Sequence, residues 1–413
     1  MKRPIHISLG PNYEKDDILI ALKTLFNPLK WFDKSEVEKL EEEFAKYFEG
    51  KLYAVALNSG RSAQYVLLKA LGIGKGDEVV VQAFTCVAVP NSVSWTGAKP
   101  VYCDIDNTYN LNLLDLENKI TKKTKAVIIQ NTFGLPADYK NLLSLTKKRK
   151  ILLIEDGAHL LGNYFRWGLS ENPRPAFFSF GRDKVISSVF GGMIVTADAE
   201  LYEKLKKQRD ELQEPLVLWT IQQLLHPILV PLFLRLYLVS LGKLLLFTAQ
   251  KLHLLSRSVY EEEKSGKMIE YFPQKMSPAL AVLANNQVKK IDKFNQQRMG
   301  MSQYYYQQLN KLKGVSISKF LKLKHDALRF PIEVENPKSL INFAKKRGIV
   351  LSDWYKEVIA PCLDPTVVGY EWGSCPNAES AAKHIVNLPT YPTMTIKDAE
   401  RVVQTIKQWQ ATQ

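Results

Sequence analysis

The sequence predicts a layered α/β protein: a large domain on a mostly parallel seven-stranded sheet, an apolar helical insertion, and a small C-terminal α+β domain. Length is the first reason. A chain of 413 residues is too long for one compact core, so two domains are expected. Alternation is the second. From about residue 50 to 200, short β-rich runs take turns with helical stretches, the pattern of a sheet covered by crossover helices. The third is the character of those runs. Most are almost wholly apolar, as befits strands covered on both faces.

In chain order the expected strands are Leu52–Leu57, Glu78–Gln82, Pro100–Ile105, Ala126–Asn131, Ile151–Glu155, Ala176–Phe180 and Met193–Thr196. Functional groups of such a sheet gather at the carboxyl ends of its strands. After about residue 280 the pattern changes. A long helix over Pro278–Leu312, a strand over Ala327–Val334 and helices over Pro337–Arg347 and Ile396–Gln410 are expected. The division is therefore 1–275, including the insertion at about 212–262, and 276–413.

A net charge of +14 suits a lysine-rich solvated surface, anionic substrates or an anionic membrane. The basic residues are dispersed and carry no recognised binding motif, which argues against nucleic acid. Cys86, Cys103, Cys362 and Cys375 are scattered, with no Cys-x-x-Cys pair. Reduced thiols in a cytoplasmic setting are expected, with no disulfide framework and no metal site. The first eight residues contain no apolar signal core, so secretion is not expected.

The insertion departs from this pattern. Pro215–Tyr260 has no acidic residue, and Pro215–Leu234 has no charge. The latter is long enough to cross a bilayer, which takes about 20 residues. Pro215, Pro227 and Pro231 interrupt it, which speaks against one regular helix. On a helix over Arg235–Arg257, Tyr237, Leu238, Leu241, Leu244, Leu245, Leu252 and Leu255 share one face. Arg235, Lys243, Gln250, His253 and Arg257 take the other. An apolar face with purely basic charges is the character of an interfacial membrane helix. A subunit-interface or core helix pair and a spanning hairpin are the alternatives.

Three short stretches carry chemistry. The first is Ala176-Phe-Phe-Ser-Phe-Gly-Arg-Asp-Lys184, with Gly191-Gly192 beyond it. An apolar strand delivers Ser179 and then Lys184, a lysine placed among Phe177, Phe178, Phe180, Val185 and Ile186. Burial there supplies the neutral amine that a Schiff base with an aldehyde cofactor requires. The second is Ile151-Leu-Leu-Ile-Glu-Asp-Gly-Ala-His159. Asp156 stands at a strand end, where a carboxylate can keep a pyridoxal ring nitrogen protonated; a helix N-cap is the alternative. His159, one turn on, points the same way. The third is Asn58-Ser-Gly-Arg-Ser62, a small-residue turn between a strand and a helix. Free N–H groups at such a helix start suit a phosphate, with Ser59, Ser62 and Ser179 as hydroxyl candidates; an ordinary capped helix start is the alternative. No nucleophile elbow, P-loop, HExxH pair or dinucleotide fingerprint competes with this set.

With these stretches in place, the chain resembles the DegT/DnrJ/EryC1/StrS family of pyridoxal-phosphate sugar aminotransferases, from about residue 35 to 410. The residues that carry it are Asn58-Ser-Gly-Arg-Ser-Ala63, Asp156-Gly-Ala-His159, and Ser179-Phe180 with Lys184 and Gly191-Gly192. Cys375-Pro-Asn-Ala-Glu379 and Asn387-Leu-Pro-Thr-Tyr-Pro-Thr-Met394 add two late elements. The resemblance implies the type I fold of pyridoxal-phosphate transferases and a homodimer with active sites at the subunit interface. It implies glutamate as amino donor and a nucleotide-linked keto sugar as acceptor, in glycan or sugar-antibiotic biosynthesis. Carried over, Lys184 binds the cofactor and shuttles protons. Asp156 pairs with the pyridine nitrogen, and His159 sits against the ring. Gly60, Arg61 and Ser179 hold the phosphate.

Three positions depart from the family. Arg61 stands where Thr is common, Cys86 where an aromatic residue is common, and Lys275 where an arginine is common. A lyase or dehydratase on the same scaffold is one rival, though Lys184 favours transamination. A non-catalytic, membrane-associated member is the other. A cytoplasmic protein, peripheral at the inner face of the membrane through Pro215–Tyr260, is the expectation.

Overall fold

The structure is a computed structural model that describes residues 4–8, 10, 12–162, 166, 168–169, 171–322 and 325–413. Seven strands form the central sheet: β1 (Tyr53–Leu57), β2 (Glu78–Gln82), β3 (Lys99–Cys103), β4 (Thr124–Gln130), β5 (Leu152–Asp156), β6 (Ala176–Ser179) and β7 (Gly192–Thr196). Their order across the sheet is β1-β7-β6-β5-β4-β2-β3. Only β7 runs against its neighbours; every other pairing is parallel. The expected strands all exist, with ends shifted by two residues or fewer.

Helices close both faces. Three of them carry labels from the first half of the chain: α1 (Lys15–Leu25), α2 (Ser35–Tyr47) and α3 (Gly60–Ala70). The sheet face under α2 is aromatic. Phe178 meets Phe44 edge-on at 5.1 Å between ring centroids, and Phe180 lies 5.6 Å from Phe44. Period-two alternation puts Phe177 and Ser179 on the opposite face, toward the carboxyl-end cleft.

The apolar segment forms a helical hairpin of α4 (Val217–Arg235) and α5 (Leu241–Lys251). This corrects two expectations. The first half is one 19-residue helix that runs through Pro227 and Pro231. Packing outweighs the two lost backbone bonds: Trp219, Leu224, Val230 and Leu234 are buried, and α4 lies along α1. The second half is not one helix over Arg235–Arg257. A short 3-10 turn and Ser240, at φ +65°, break it. At the turn Gly242 crosses the end of α4 closely; a Cβ there would lie 2.1 Å from the Phe233 carbonyl oxygen. Val217–Arg235 is long and apolar enough to cross a membrane, with mean hydropathy 1.6, and 44% of it is buried against the rest of the protein.

The expected helix over Pro278–Leu312 is two helices, α6 (Pro278–Val288) and α7 (Ile291–Leu309). At the break, Lys290 reaches Asp16, Asp17 and Glu14 at 2.6, 3.0 and 3.2 Å. Helix α6 packs on α2, so the first element after residue 275 joins the core of the large domain. Beyond α7, β8 (Arg329–Glu333) and β9 (Ile385–Pro389) form an antiparallel pair.

Candidate active site

Strand register assembles the site. Leu57 of β1 and Ser179 of β6 both pair with Gly192 of β7. Asp156, the last residue of β5, pairs with Phe177 of β6 and Gln130 of β4. Four strand ends therefore lie abreast. They open into a cleft of about 840 Å³, its open part included. Of the residues singled out from the sequence, Ser59, Gly60, Arg61, Cys86, Asp156, His159, Ser179 and Lys184 line this cleft.

Ser62 does not line it, a correction with a clear cause. Its hydroxyl donates to Asn58 Oδ1 at 2.6 Å. Its N–H donates to Ser59 Oγ at 3.1 Å, which makes Ser59 the N-cap of α3. The two hydroxyl oxygens are 2.9 Å apart. Because the Ser62 proton points to Asn58, Ser59 donates to Ser62. The Ser59 hydroxyl is thus spent on capping and the Ser62 hydroxyl on Asn58. What remains is the backbone: the N–H groups of Gly60 and Arg61 have no acceptor in the first turn of a helix. Gly60 permits the approach, since a Cβ there would lie 2.7 Å from Ser179 Cβ. Ser179 Oγ accepts from the Gly181 N–H at 3.3 Å and keeps its own proton to donate.

Arg61 is the second correction. Its guanidinium is an ion-pair partner of the buried Glu263 and donates to the Ser258 carbonyl at 2.8 Å. It lies 4.5 Å over the Phe272 ring. The side chain therefore fastens the segment after the hairpin, and only the backbone faces a phosphate.

Lys184 sits on the cleft with its Nζ 5.4 Å from the centre of the Trp354 ring. Surrounding protein lowers its pKa, chiefly by burial, against weaker opposing pulls from Asp183, Cys86 and Asp156. Its neighbours differ from those the sequence suggested: Phe178 and Phe180 face the other side of the sheet, and Phe177 alone of the three lines the cleft. Burial raises the Asp156 carboxyl to about 6, against the Ala158 N–H at 2.8 Å and the charge of Lys184. Below it, buried Glu155 holds Arg174 at 2.6 Å and Asn131 at 3.1 Å.

His159 is neutral, held well below its usual range by burial first and then by Lys184 and Arg329. The Phe133 N–H donates to its Nδ1 at 3.3 Å. This places the ring proton on Nε2, which donates to the Tyr355 hydroxyl at 3.3 Å. Burial also pushes the Cys86 thiol up, so it is a small neutral wall there.

Trp354, Tyr355, Gln130 and Arg182 also line the cleft, and sequence reasoning missed them. Trp354 and Tyr355 arrive from the C-terminal part on an irregular loop, without periodicity or turn chemistry to mark them. Gln130, in contrast, had a usable signal: like Asp156, it is the last residue of an apolar strand.

The family model of the DegT/DnrJ/EryC1/StrS aminotransferase family matches residues 12–215 and 244–407. The chain belongs to that family. It is an aminotransferase on the fold of such enzymes. The unmatched residues, 216–243, are α4, the turn and the start of α5, so most of the hairpin lies outside the family model. The chain is 27% identical over 413 residues to a pleiotropic regulatory protein of Geobacillus stearothermophilus, covering 98% of this chain and 97% of that one. It is 38% identical over 181 residues to a GDP-perosamine synthase of Caulobacter vibrioides, covering 43% and 48%. Among solved structures, the DesV enzyme of S. venezuelae superposes with a TM-score of 0.74 at 24% identity, covering 99% of both chains. NtdA of Bacillus subtilis superposes at 0.75 and 21%, covering 100% of this chain and 86% of that one.

Pyridoxal 5′-phosphate is the cofactor these residues fit. The cleft offers an amine after β6, a carboxylate at the end of the neighbouring strand β5, and a cradle of free N–H and hydroxyl donors. That donor set matches an aldehyde, a ring nitrogen and a phosphate.

Proposed function

We propose that this aminotransferase takes an amino group from glutamate and gives it to the keto group of a nucleotide-linked sugar. The convergence of Lys184, Asp156 and the Gly60–Ser179 cradle on one cleft carries the reaction class. The likeness to two GDP-perosamine synthases, of Caulobacter vibrioides and Escherichia coli O157:H7, supports the sugar substrate.

Bound in this cleft, the cofactor supplies a carbonyl for the amino group and a ring that spreads the negative charge formed at Cα. The chain's own residues do the rest. Lys184 Nζ, made less basic by burial, takes the proton from the donor's Cα and returns one to the sugar carbon. Asp156, charged at neutral pH, accepts the hydrogen bond of the ring N–H and keeps that proton in place. His159 Nε2–H is fixed toward Tyr355 and presents the imidazole as a neutral face. The N–H groups of Gly60 and Arg61, with Ser179 Oγ–H, bind the phosphate. Trp354 covers Lys184 and keeps water from it.

The active form in this proposal is a homodimer, which sedimentation at assay concentration reads. Protein supplied with pyridoxal phosphate should show a visible absorbance band that glutamate bleaches, with 2-oxoglutarate released. A keto sugar nucleotide should restore the band. A band that glutamate leaves unchanged would sink the transamination.

The finer placement is at the cytoplasmic face of a membrane, held by the hairpin. Its support is threefold. Most of the hairpin lies outside the family pattern. Leu244 and Phe247 of α5 are 59% and 66% exposed. The only charges on the segment are basic, which complements anionic lipid. Flotation with phosphatidylglycerol vesicles decides it; protein that stays at the bottom of the gradient rules the contact out.

A further inference from the structure

Beside the cofactor cleft lies a second cavity of about 1230 Å³, its open mouth included. The two share a wall: Arg182, Asp183, Ser258 and Val259 line both. The far side of the second cavity is apolar. It comes from the hairpin and its exit, through Val230, Leu246 and Leu255.

Arg182 is unlike the other interior arginines. Arg61 pairs with Glu263, Arg174 with Glu155, and Arg329 with Asp183. Arg298 has no carboxylate, but Asn295 Oδ1, Asn12 Oδ1 and the Val185 carbonyl accept from it at 3.1, 3.1 and 2.8 Å. Among the described residues, Arg182 donates only to Ser256 Oγ and has no ion-pair partner; its Nε–H, like those of Arg298 and Arg329, is enclosed without an acceptor. It lies 5.5 Å over the Phe190 ring. Enclosure pulls its pKa down to about 10, so it remains a cation at neutral pH. An enclosed charge without a counter-ion is costly. The planar guanidinium fork matches pairs of phosphate oxygens better than any other common anion except a carboxylate.

We infer that Arg182 pairs with the diphosphate of the sugar substrate's carrier, and that the second cavity receives the carrier itself. The inference rests on the aminotransferase reading above. Its geometry follows from the shared wall. The reacting ketone must come to Lys184, and the rest of a long substrate must leave the cleft. The wall at Arg182 is where the two spaces meet. Of the other charges on the second, Arg257 and Lys264 pair with Glu261 and Asp183 pairs with Arg329, which leaves Arg182 as its cation without an ion-pair partner among the described residues. An amino donor the size of glutamate reacts through its own Cα over Lys184 and has no part that reaches the hairpin. A nucleoside diphosphate and a prenyl diphosphate present the same anion, followed by an apolar-faced group. The hairpin is then a specificity element, since Val230 and His226, both on this cavity, belong to residues outside the family pattern.

The test titrates the cofactor-loaded protein with UDP, GDP, geranyl diphosphate and inorganic pyrophosphate, followed by calorimetry. At least one of the first three is expected to bind, and Arg182→Gln is expected to weaken it by about 10-fold or more. Arg182→Lys should recover part of that loss. Gln250→Trp, on the exposed rim of the cavity, should weaken binding without touching Arg182. Preference for UDP or GDP names a nucleotide carrier; preference for geranyl diphosphate names a lipid one. Equal affinity in Arg182→Gln overturns the inference, as does binding of no probe. Loss of glutarate binding in its place would give Arg182 to the donor, and loss of the cofactor would give it to the cofactor phosphate; either overturns it. Failure of the aminotransferase reading shows separately, as a visible band that glutamate leaves unchanged.

Discussion

The cofactor cleft and the hairpin after Pro215 are built on opposite terms. In the cleft, the acid, the imidazole and the turn are each fixed by close contacts. Asp156 takes the Ala158 N–H, His159 is held between Phe133 and Tyr355, and Gly60 sits against Ser179 with no room for a Cβ. The hairpin has one face buried on α1 and leaves large apolar side chains in the open. Side-chain contacts join the regions: Trp219 of α4 packs 5.3 Å from Phe190 of the cleft, and the hairpin's exit is held through Arg61 with Glu263 and Arg182 with Ser256. The difference teaches that the cleft is fixed by partnered groups, whereas the hairpin, mostly outside the family model, keeps an exposed apolar surface and has its exit held by two arginines at the edge of the cleft.

Substitutions test how separate the regions are. The largest effect should come from Lys184→Ala, which removes the proton carrier. Activity should fall by about 10⁴-fold, and the visible band should vanish while the melting curve stays put.

Next is Arg61→Met, which breaks the fastening. It leaves Glu263, which has no exposed side-chain surface, as an uncompensated buried carboxylate. A loss of about 3 kcal/mol, read by denaturant unfolding, is expected. An unchanged midpoint would mean that the exit segment adds nothing to the stability of the cleft.

Asp156→Asn should lower activity by about 10²-fold and remove a pH dependence. The carboxyl of the free protein is raised from 3.8 to about 6. A raised acid favours the fold when protonated, a contribution fully present below 3.8 and lost as pH rises through about 6. Cofactor affinity has the opposite sign, because only the carboxylate pairs with a protonated ring nitrogen. Affinity should therefore fall as pH drops through about 6 in the wild type, and stay flat across that window in Asp156→Asn. Spectroscopic cofactor titrations at several pH values read both.

The smallest effect on the enzyme should come from Leu244→Ser with Phe247→Ser. Both side chains are exposed, so stability should move by less than about 0.5 kcal/mol for each. Glutamate should still bleach the visible band. Vesicle flotation alone should be lost, and its persistence would move the membrane contact elsewhere.

The site was legible in the sequence where it is local. Asp156 ends an apolar strand, Gly60 and Lys184 follow one within five residues, and parallel strands bring their carboxyl ends together. The serines of the turn were ambiguous for a local reason: the same hydroxyl serves a phosphate or a local bond, and here Ser59 caps the helix and Ser62 bonds Asn58. Arg61 was misjudged because its partner, Glu263, lies about 200 residues away. Trp354 and Tyr355 left no trace, since an irregular loop has no period.

By itself, the sequence determined the sheet, the reaction class and the chemical identity of the key groups. Those follow from apolar periodicity and from residue types at strand ends, which are properties of short stretches. Only the tertiary structure decided what each polar group is free to do. It spent Ser59 on a cap and Ser62 on Asn58, turned Arg61 to Glu263, carried α4 through two prolines, and left Arg182 facing a second cavity without a counter-ion. The physical reason is that burial and hydrogen-bond satisfaction are settled between segments distant in the chain, where no local pattern records them.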